Sequence, residues 1–401
     1  MHRDLIAEID TDAIEHNVGL IRRHCGAHIR ICAAIKANAY GHGVGVVAPA
    51  LDRAGVDMAA VATIGEAIEL RGLGWRRPIL CVGPVFAAPS AAERAERIEA
   101  AVRYDLTVTI VDGYGARDLD EAAGRQRKHV RFHVKVDTGM GRMGIAPATA
   151  LDLIPKVACL PNIELEGVYT HLATADQEDR SFARAQLSQF RQLVDALRGG
   201  GVSVPLCHAA NSSAALFMPE SRFDMVRPGL SLYGHLASQQ AQAPLPLRAA
   251  LRLVSHLVLT KRVPPGQAVG YGCTFRTQRE SLLGVVPIGY NDGYLRVLSN
   301  RACMGVAGAY APVVGLISMD QTVLDLTDLE AAGSAPRVGD EVIIIDEKPD
   351  RPNSVEALAR MMDTVPYEVT CLLGNRVARI ARGERAGVGQ QQAPAEIAVR
   401  G

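Results

Sequence analysis

Eight short runs of β-branched and apolar residues recur between residue 29 and about residue 230, at 29–35, 58–63, 79–82, 106–111, 130–136, 163–170, 204–208 and 225–226. Amphipathic or alanine-rich stretches such as 91–102 and 180–197 separate them. Eight strand signals alternating with helix signals predict an α/β fold, a (β/α)8 TIM-like barrel with a parallel sheet covered by helices. The last two runs are the shortest. Aromatics make up 4% of the chain, so the apolar content comes from Ala, Val, Leu and Ile, which suits strands buried on both faces.

Past about residue 241 the pattern changes. Gln, Ala and Pro cluster over 239–246 like a linker. Short strand signals then follow at 251–259, 283–287, 312–317, 322–326 and 341–345, separated by glycine turns, and Ser354 is a good cap for a helix reaching Met361. The chain therefore divides into a barrel over residues 1–241, a mostly β C-terminal domain over 242–384 and a flexible tail over 385–401. The first strand, residues 4–9, precedes the barrel pattern and is a candidate to pair with the C-terminal domain.

Bulk chemistry excludes several roles. Basic and acidic residues balance at 43 each, which predicts neither a nucleic-acid partner nor an anionic membrane surface. No apolar run approaches a membrane span. The eight cysteines contain no Cys-x-x-Cys pair, and several lie in strand-like runs, so a reducing cytoplasmic setting is expected. No His-x-x-x-His helix, Walker loop or nucleophile elbow appears, and no metal site is expected.

Chemistry-bearing residues gather where the predicted strands end, the functional face of such a barrel. Lys36 ends the first run and leads into Ala-Asn-Ala-Tyr40-Gly-His-Gly. Burial there disfavours the ammonium form and leaves an amine able to condense with a carbonyl. Gly41, Gly43 and Gly45 would let the backbone close over a bulky group. Alone, such a lysine reads as a snorkelling side chain at a strand end. The fifth run, however, yields Lys135-Val-Asp-Thr-Gly-Met-Gly-Arg142, and the sixth Tyr169-Thr-His171. The seventh yields His208-Ala-Ala-Asn211-Ser212, and the eighth Arg227-Pro-Gly229-Leu230. His171 alone would be a satisfied core histidine and Arg142 a surface charge, but five such sites at equivalent strand ends argue for one pocket.

These segments resemble the alanine racemase family, together with Gly270-Tyr271-Gly272, Pro287-Ile-Gly-Tyr290, Ser318-Met319-Asp320 and Tyr367-Glu368. The resemblance runs from Glu8 to Arg382. It implies a barrel, a β domain, pyridoxal 5'-phosphate as cofactor, alanine as substrate and a head-to-tail homodimer that shares residues between active sites. Lys36 would hold the cofactor and move a proton on one face, and Tyr271 from the other subunit would serve the opposite face. His171 would connect Tyr271 to Arg227, which would face the pyridine nitrogen. An arginine there cannot accept a proton, so the ring would stay unprotonated and be a weaker electron sink. Arg142 would contact cofactor and substrate carboxylate, with Lys135, often carbamylated in the family, orienting it. Tyr40, Asn211, Ser212, Gly229 and Leu230 would cradle the cofactor and its phosphate, Tyr290 would support the site, and Met319 and Asp320 would line the substrate entrance.

The chain departs from the family pattern at three positions. Asn375 stands where a tyrosine that contacts the phosphate is common, leaving room and a hydrogen-bonding group for serine. Leu316 replaces a usually basic residue, and Ser318 a position that is sometimes cysteine. A dinucleotide-binding reading of Gly139-x-Gly141-x-x-Gly144 is weak because it lies mid-chain with Arg142 inside it. A non-catalytic pyridoxal-phosphate carrier would resemble the barrel alone. A decarboxylase of this fold would have no use for two bases.

Overall fold

The computed structural model describes residues 5–237 and 244–383. The expectations over 385–401, and over most of the 239–246 linker, fall outside that range. Strand β1 (Ile6–Asp10) is followed by eight barrel strands: β2 (Arg30–Ala34), β3 (Met58–Val61), β4 (Ile79–Cys81), β5 (Thr107–Ile110), β6 (Val130–Lys135), β7 (Ile163–Tyr169), β8 (Leu206–His208) and β9 (Met225–Val226). They form one parallel sheet in the order β8-β7-β6-β5-β4-β3-β2-β9. The seam between β8 and β9 is drawn together by bonds from flanking residues. Asp224 N donates to Cys207 O at 3.0 Å, Cys207 N to the Asp224 carboxylate at 2.7 Å, and Arg227 N to Ala210 O at 2.8 Å. Those side-chain and loop contacts explain why the last two strand signals are so short. The barrel is nearly closed.

Local chemistry sets the helix starts between the strands. Thr63 and Glu66 form a reciprocal capping box on Ile64–Gly72, and Ser90 and Asp112 cap Ala91–Arg103 and Gly113–Arg125. Gly45, expected in a turn, lies instead inside the helix Val44–Arg53.

Alternation within the strands divides the two faces of the barrel wall. Ile31, Ala33, Ala59, Ile79, Val108, Phe132, Val134 and Val168 join the large core under the helices. The opposite face of β2, β3, β4 and β9 supplies a separate small cluster of Cys32, Met58, Ala60, Leu80 and Met225. On the other half of the lumen the corresponding positions are polar: Thr107 and Thr109 on β5, His133 and Lys135 on β6, Tyr169 on β7 and His208 on β8, all buried. One side of the lumen is oil and the other a hydrogen-bonded network.

The C-terminal domain is antiparallel for the most part. It comprises β10 (Leu251–His256), β11 (Leu259–Val263), β12 (Ala268–Val269), β13 (Phe275–Arg276), β14 (Ser281–Val286), β15 (Cys303–Val306), β16 (Ala309–Pro312), β17 (Thr322–Asp325), β18 (Glu341–Ile345) and β19 (Ala378–Arg382). Its largest sheet runs β16-β15-β18-β10-β1-β19, so β1 lies between β10 and β19 rather than in the barrel. The strand signal at 251–259 resolves into two strands broken at Leu257–Val258. The signal at 312–317 is a misplacement: the strand ends at Pro312, and only an isolated bridge from Val313 to Leu324 continues it. Ser354 caps the helix Val355–Met362 through Ala357 N. The next helix, Pro366–Cys371, packs directly on the segment that follows Lys36. The Thr370 carbonyl occupies the space a Cβ at Gly41 would need, and Tyr367 meets Tyr40 edge-on at 6.4 Å.

Candidate active site

Lys36 leaves β2 into backbone that glycine does not explain. Ala37, Asn38, Ala39 and Tyr40 all have φ between 52° and 55°, a turn of left-handed helix made of four non-glycine residues. Each such residue costs about 1–2 kcal/mol relative to right-handed backbone. Hydrogen bonds hold the turn: Ala37 N donates to Glu66 Oε1, Val44 N to Asn38 Oδ1, Gly41 N to Ala37 O and Gly43 N to Asn38 O. Behind it, buried His42 donates Nδ1–H to the carbonyls of Ala39 and Tyr40 and stacks on Tyr233 at 4.2 Å. Strain retained against this cost fixes where the lysine points. Burial, then Arg142, lowers the Lys36 pKa.

Arg142 arrives on a closed ring of backbone. Asp137 Oδ1 accepts from Gly139 N and Gly141 N, and Asp137 N and Ile145 N tie the ring's ends back to β6. Gly139, Gly141 and Gly144 all have positive φ within it. The glycines therefore close a loop and return it to the strand. The following helix, Pro147–Val157, starts only after that return, which removes the dinucleotide-binding reading. Lys135 is buried at the end of β6, and burial, then Arg142 and Arg227, pushes its pKa down to about 8. Arg142 and Arg227 disfavour charge on both Lys36 and Lys135, with Glu66 and Asp137 opposing them in part, so the field here favours an anionic ligand.

Arg227 is buried, yet every partner it has is neutral. Nη2 donates to Thr170 O at 2.8 Å and Ala209 O at 3.2 Å and approaches His171 Nδ1 at 3.4 Å, and Nη1 donates to His208 Nδ1 at 2.7 Å. Its guanidinium lies over the Tyr169 ring, which stacks on His208. Gln186, fully buried, donates to His171 O and accepts from Ala173 N, fixing the strand end that carries His171. Burial, then Arg227 and Arg142, holds His171 well below the usual imidazole range, so it is neutral.

Across the seam, Ser212 Oγ accepts from Gly229 N at 2.9 Å and Ser231 N at 3.2 Å, which leaves its own O–H to donate outward. The Gly229 N–H, expected to face a phosphate, is spent on Ser212. The Tyr40 hydroxyl lies where a Cβ on Gly229 would be, at 2.5 Å, so only glycine admits it. Asn211 caps Ser212–Phe217 through Ala214 N, and Leu230 is buried beside it. The Ser212 and Tyr40 hydroxyls meet at Gly229, a donor pair that suits a phosphate monoester, and the Lys36 amine suits an aldehyde. The residues present suit pyridoxal phosphate.

Residues expected from the second domain are largely open to solvent. Tyr271 is 69% exposed and Met319 52%, while Tyr290 and Asn375 are also exposed. Asp320 pairs with Arg376 at 2.9 Å, and Arg376 also binds the buried Asp292 at 2.9 Å. Sequence reasoning gave no role to His133, Glu166, Thr170 or Gln186. The usable signal was the alternation Arg131, His133, Lys135 within β6, because a parallel strand buried on both faces should be apolar throughout. Among the described residues no His/Cys/Asp/Glu cluster could hold a metal, and no helix is long and apolar enough to cross a membrane.

Two family profiles account for most of the chain. Residues 9–237 match "Alanine racemase, N-terminal domain" and residues 250–381 match "Alanine racemase, C-terminal domain". Alanine racemase 2 of Caldanaerobacter subterraneus subsp. tengcongensis is 40% identical over 385 residues, covering 94% of this chain and 95% of that protein. The solved alanine racemase of Clostridium difficile 630 superposes with a TM-score of 0.87 at 33% identity, covering 95% of this chain and 96% of that one. The Bartonella henselae alanine racemase, solved with covalently bound pyridoxal phosphate, gives a TM-score of 0.81 at 30% identity and covers 94% of this chain and 99% of its own.

Proposed function

The chain belongs to the alanine racemase family, pyridoxal-phosphate-dependent isomerases of alanine, and from that premise we propose that two bases on opposite faces of the substrate exchange its α-proton. The observation that carries the assignment of roles is the convergence of a pKa-lowered lysine with a buried arginine that has no carboxylate partner. Lys36 Nζ is the group that would hold the cofactor, with the Ser212 and Tyr40 hydroxyls toward its phosphate and Arg227 toward its ring nitrogen. Bound there, pyridoxal phosphate supplies an electron sink that makes the substrate Cα–H acidic. Lys36 takes or returns that proton on one face. Arg227 keeps its own protons and offers the ring only a hydrogen bond, which limits the sink and favours proton return over deeper chemistry. Arg142 orients the substrate carboxylate, and Lys135 orients Arg142.

The second base is the Tyr271 phenol of a second copy of the chain, carried to the opposite face in a head-to-tail homodimer. Its exposure, and that of Met319, support this, since each would be left in water by a lone protomer. Neutral His171, bonded to Arg227 through Nδ1, has Nε2–H to offer the phenol. Asn375 leaves room for a hydroxymethyl group, so serine is turned over beside alanine. Eight free cysteines support a cytoplasmic setting.

Polarimetry on L-alanine, with L-serine in parallel, tests the substrate range. Wild-type protein should racemise both and Lys36→Ala neither; a yellow wild-type protein that moves neither enantiomer would return the carrier reading. In deuterated water, two bases should deliver product carrying solvent deuterium from the first turnover. Product that retains the substrate's own proton would point to a single base serving both faces.

A further inference from the structure

A chain of hydrogen bonds runs from Arg227 through the polar half of the lumen to Glu166. Arg227 Nη1 meets His208 Nδ1 at 2.7 Å, His208 Nε2 meets His133 Nδ1 at 2.8 Å, and His133 Nε2 meets Glu166 Oε2 at 3.1 Å. An arginine has no acceptor, so it must donate to His208 Nδ1. That leaves His208 with its proton on Nε2, which it donates to His133 Nδ1, and His133 in turn donates Nε2–H to the carboxylate. One residue's chemistry thus dictates the tautomer of two others. Both rings are neutral, and the only anion on the line is two imidazoles away from the cation.

The fold is arranged for this line. A register shift in the β6–β7 pairing, between Phe132 and His133, leaves Glu166 opposite no single partner and turns it into the lumen. Without that bulge, Glu166 and Tyr169, three residues apart, would face opposite sides of the sheet. A Cβ on Gly167 would stand 3.0 Å from the His133 ring, so glycine makes room for the imidazole. Thr107 and Arg131 hold the carboxylate from the far side at 3.3 and 3.5 Å. Burial lowers the pKa values of His133 and His208, which keeps both rings neutral.

We propose that Glu166, acting through His133 and His208, is a positioning residue that sets how strongly Arg227 pulls on the cofactor's ring nitrogen. The inference rests on the placement of Arg227 given above. A carboxylate bonded directly to Arg227 would neutralise it, whereas one relayed through two neutral rings polarises it in a fixed direction and keeps its geometry rigid.

Neutron diffraction from the deuterium-exchanged holoenzyme should show each ring deuterated on Nε2 only. Deuterium on Nδ1 of either ring would overturn the inference, whatever the enzyme's activity. The isosteric Glu166→Gln keeps the hydrogen bond from His133 but removes the charge. In that holoenzyme the cofactor's visible absorption band should shift and transamination events per turnover should rise about tenfold with KM for alanine little changed, the scale on which an outer partner tunes a contacting group. An unchanged spectrum and partition would overturn the proposal. If that variant does not accumulate, the neutron result decides alone. Arg227→Lys tests the underlying placement separately: it should shift the same band whatever Glu166→Gln does, so a silent Glu166→Gln beside a shifted Arg227→Lys condemns the relay alone, and no shift from Arg227→Lys condemns the placement.

Discussion

Lys135 shows how burial of one side chain sets a pH dependence. Its pKa falls from 10.5 toward about 8 because burial and two arginines disfavour the ammonium form. A base with a lowered folded-state pKa loses its proton in the native chain first. Between pH 8 and the unfolded value of 10.5 the unfolded chain binds more protons, so this group's contribution makes stability rise with pH across that window. Melting temperatures of the cofactor-free protein should therefore climb less steeply with pH in Lys135→Met than in wild type; parallel slopes would show that Lys135 titrates normally. The same neutral amine is the form that takes up carbon dioxide, so bicarbonate should add the mass of one carbamate to wild type but not to the methionine variant. Asn375 belongs at this scale too. It is exposed beside Arg376, which pairs with Asp292 and Asp320. Asn375→Tyr should lower kcat/KM for serine relative to alanine by roughly tenfold, the size of effect one small group has in a pocket. Equal losses on both substrates would mean that Asn375 does not set the substrate range.

Among the elements, the left-handed turn after Lys36 is the one the sequence hides. Lys36, Tyr40 and the apolar run before them are visible in the string, and the strand end was legible because apolar residues stop there. The conformation of Ala37–Asn38–Ala39 was not, since alanine favours right-handed helix and only the tertiary frame forces φ near 52°. That frame is the helix Pro366–Cys371, more than 300 residues away in sequence, whose Thr370 carbonyl closes on Gly41. Gly41→Ala would put a methyl into that carbonyl at φ 82°, a backbone angle that alanine already resists. Such a clash belongs to the class of mutations costing several kcal/mol. The variant should lose cofactor colour together with thermal stability, whereas Gly55→Ala, with open space around its Cβ, should keep its colour and lose only about 1–2 kcal/mol to its positive φ. If both variants keep cofactor equally well, the contact with Thr370 does not seat the lysine turn. The polar lumen was legible in part: β6 announces it by alternation, but the bulge that brings Glu166 inward leaves no mark in composition.

For the whole molecule, the sequence yields the barrel because alternation is a local property repeated eight times. It yields the second domain less well: residues 4–9 fall outside the barrel pattern and so point to the second sheet, but no local pattern records that β19 lies beside them. How two copies meet is harder still. Exposed Tyr271 gains a role only if another protomer brings it to Lys36, and that geometry is what a mixing experiment can read. Lys36→Ala and Tyr271→Ala should each be nearly inactive as pure homodimers. In a head-to-tail dimer, a hybrid of the two has one site with both substitutions and one with neither, because Lys36 of the Tyr271→Ala protomer is served by Tyr271 of the Lys36→Ala protomer. Random reassortment makes half the dimers hybrid with one intact site each, so unfolding and refolding an equal mixture should restore about a quarter of wild-type activity. If Lys36 and Tyr271 worked within one chain, every site in the mixture would lack a base and nothing would return.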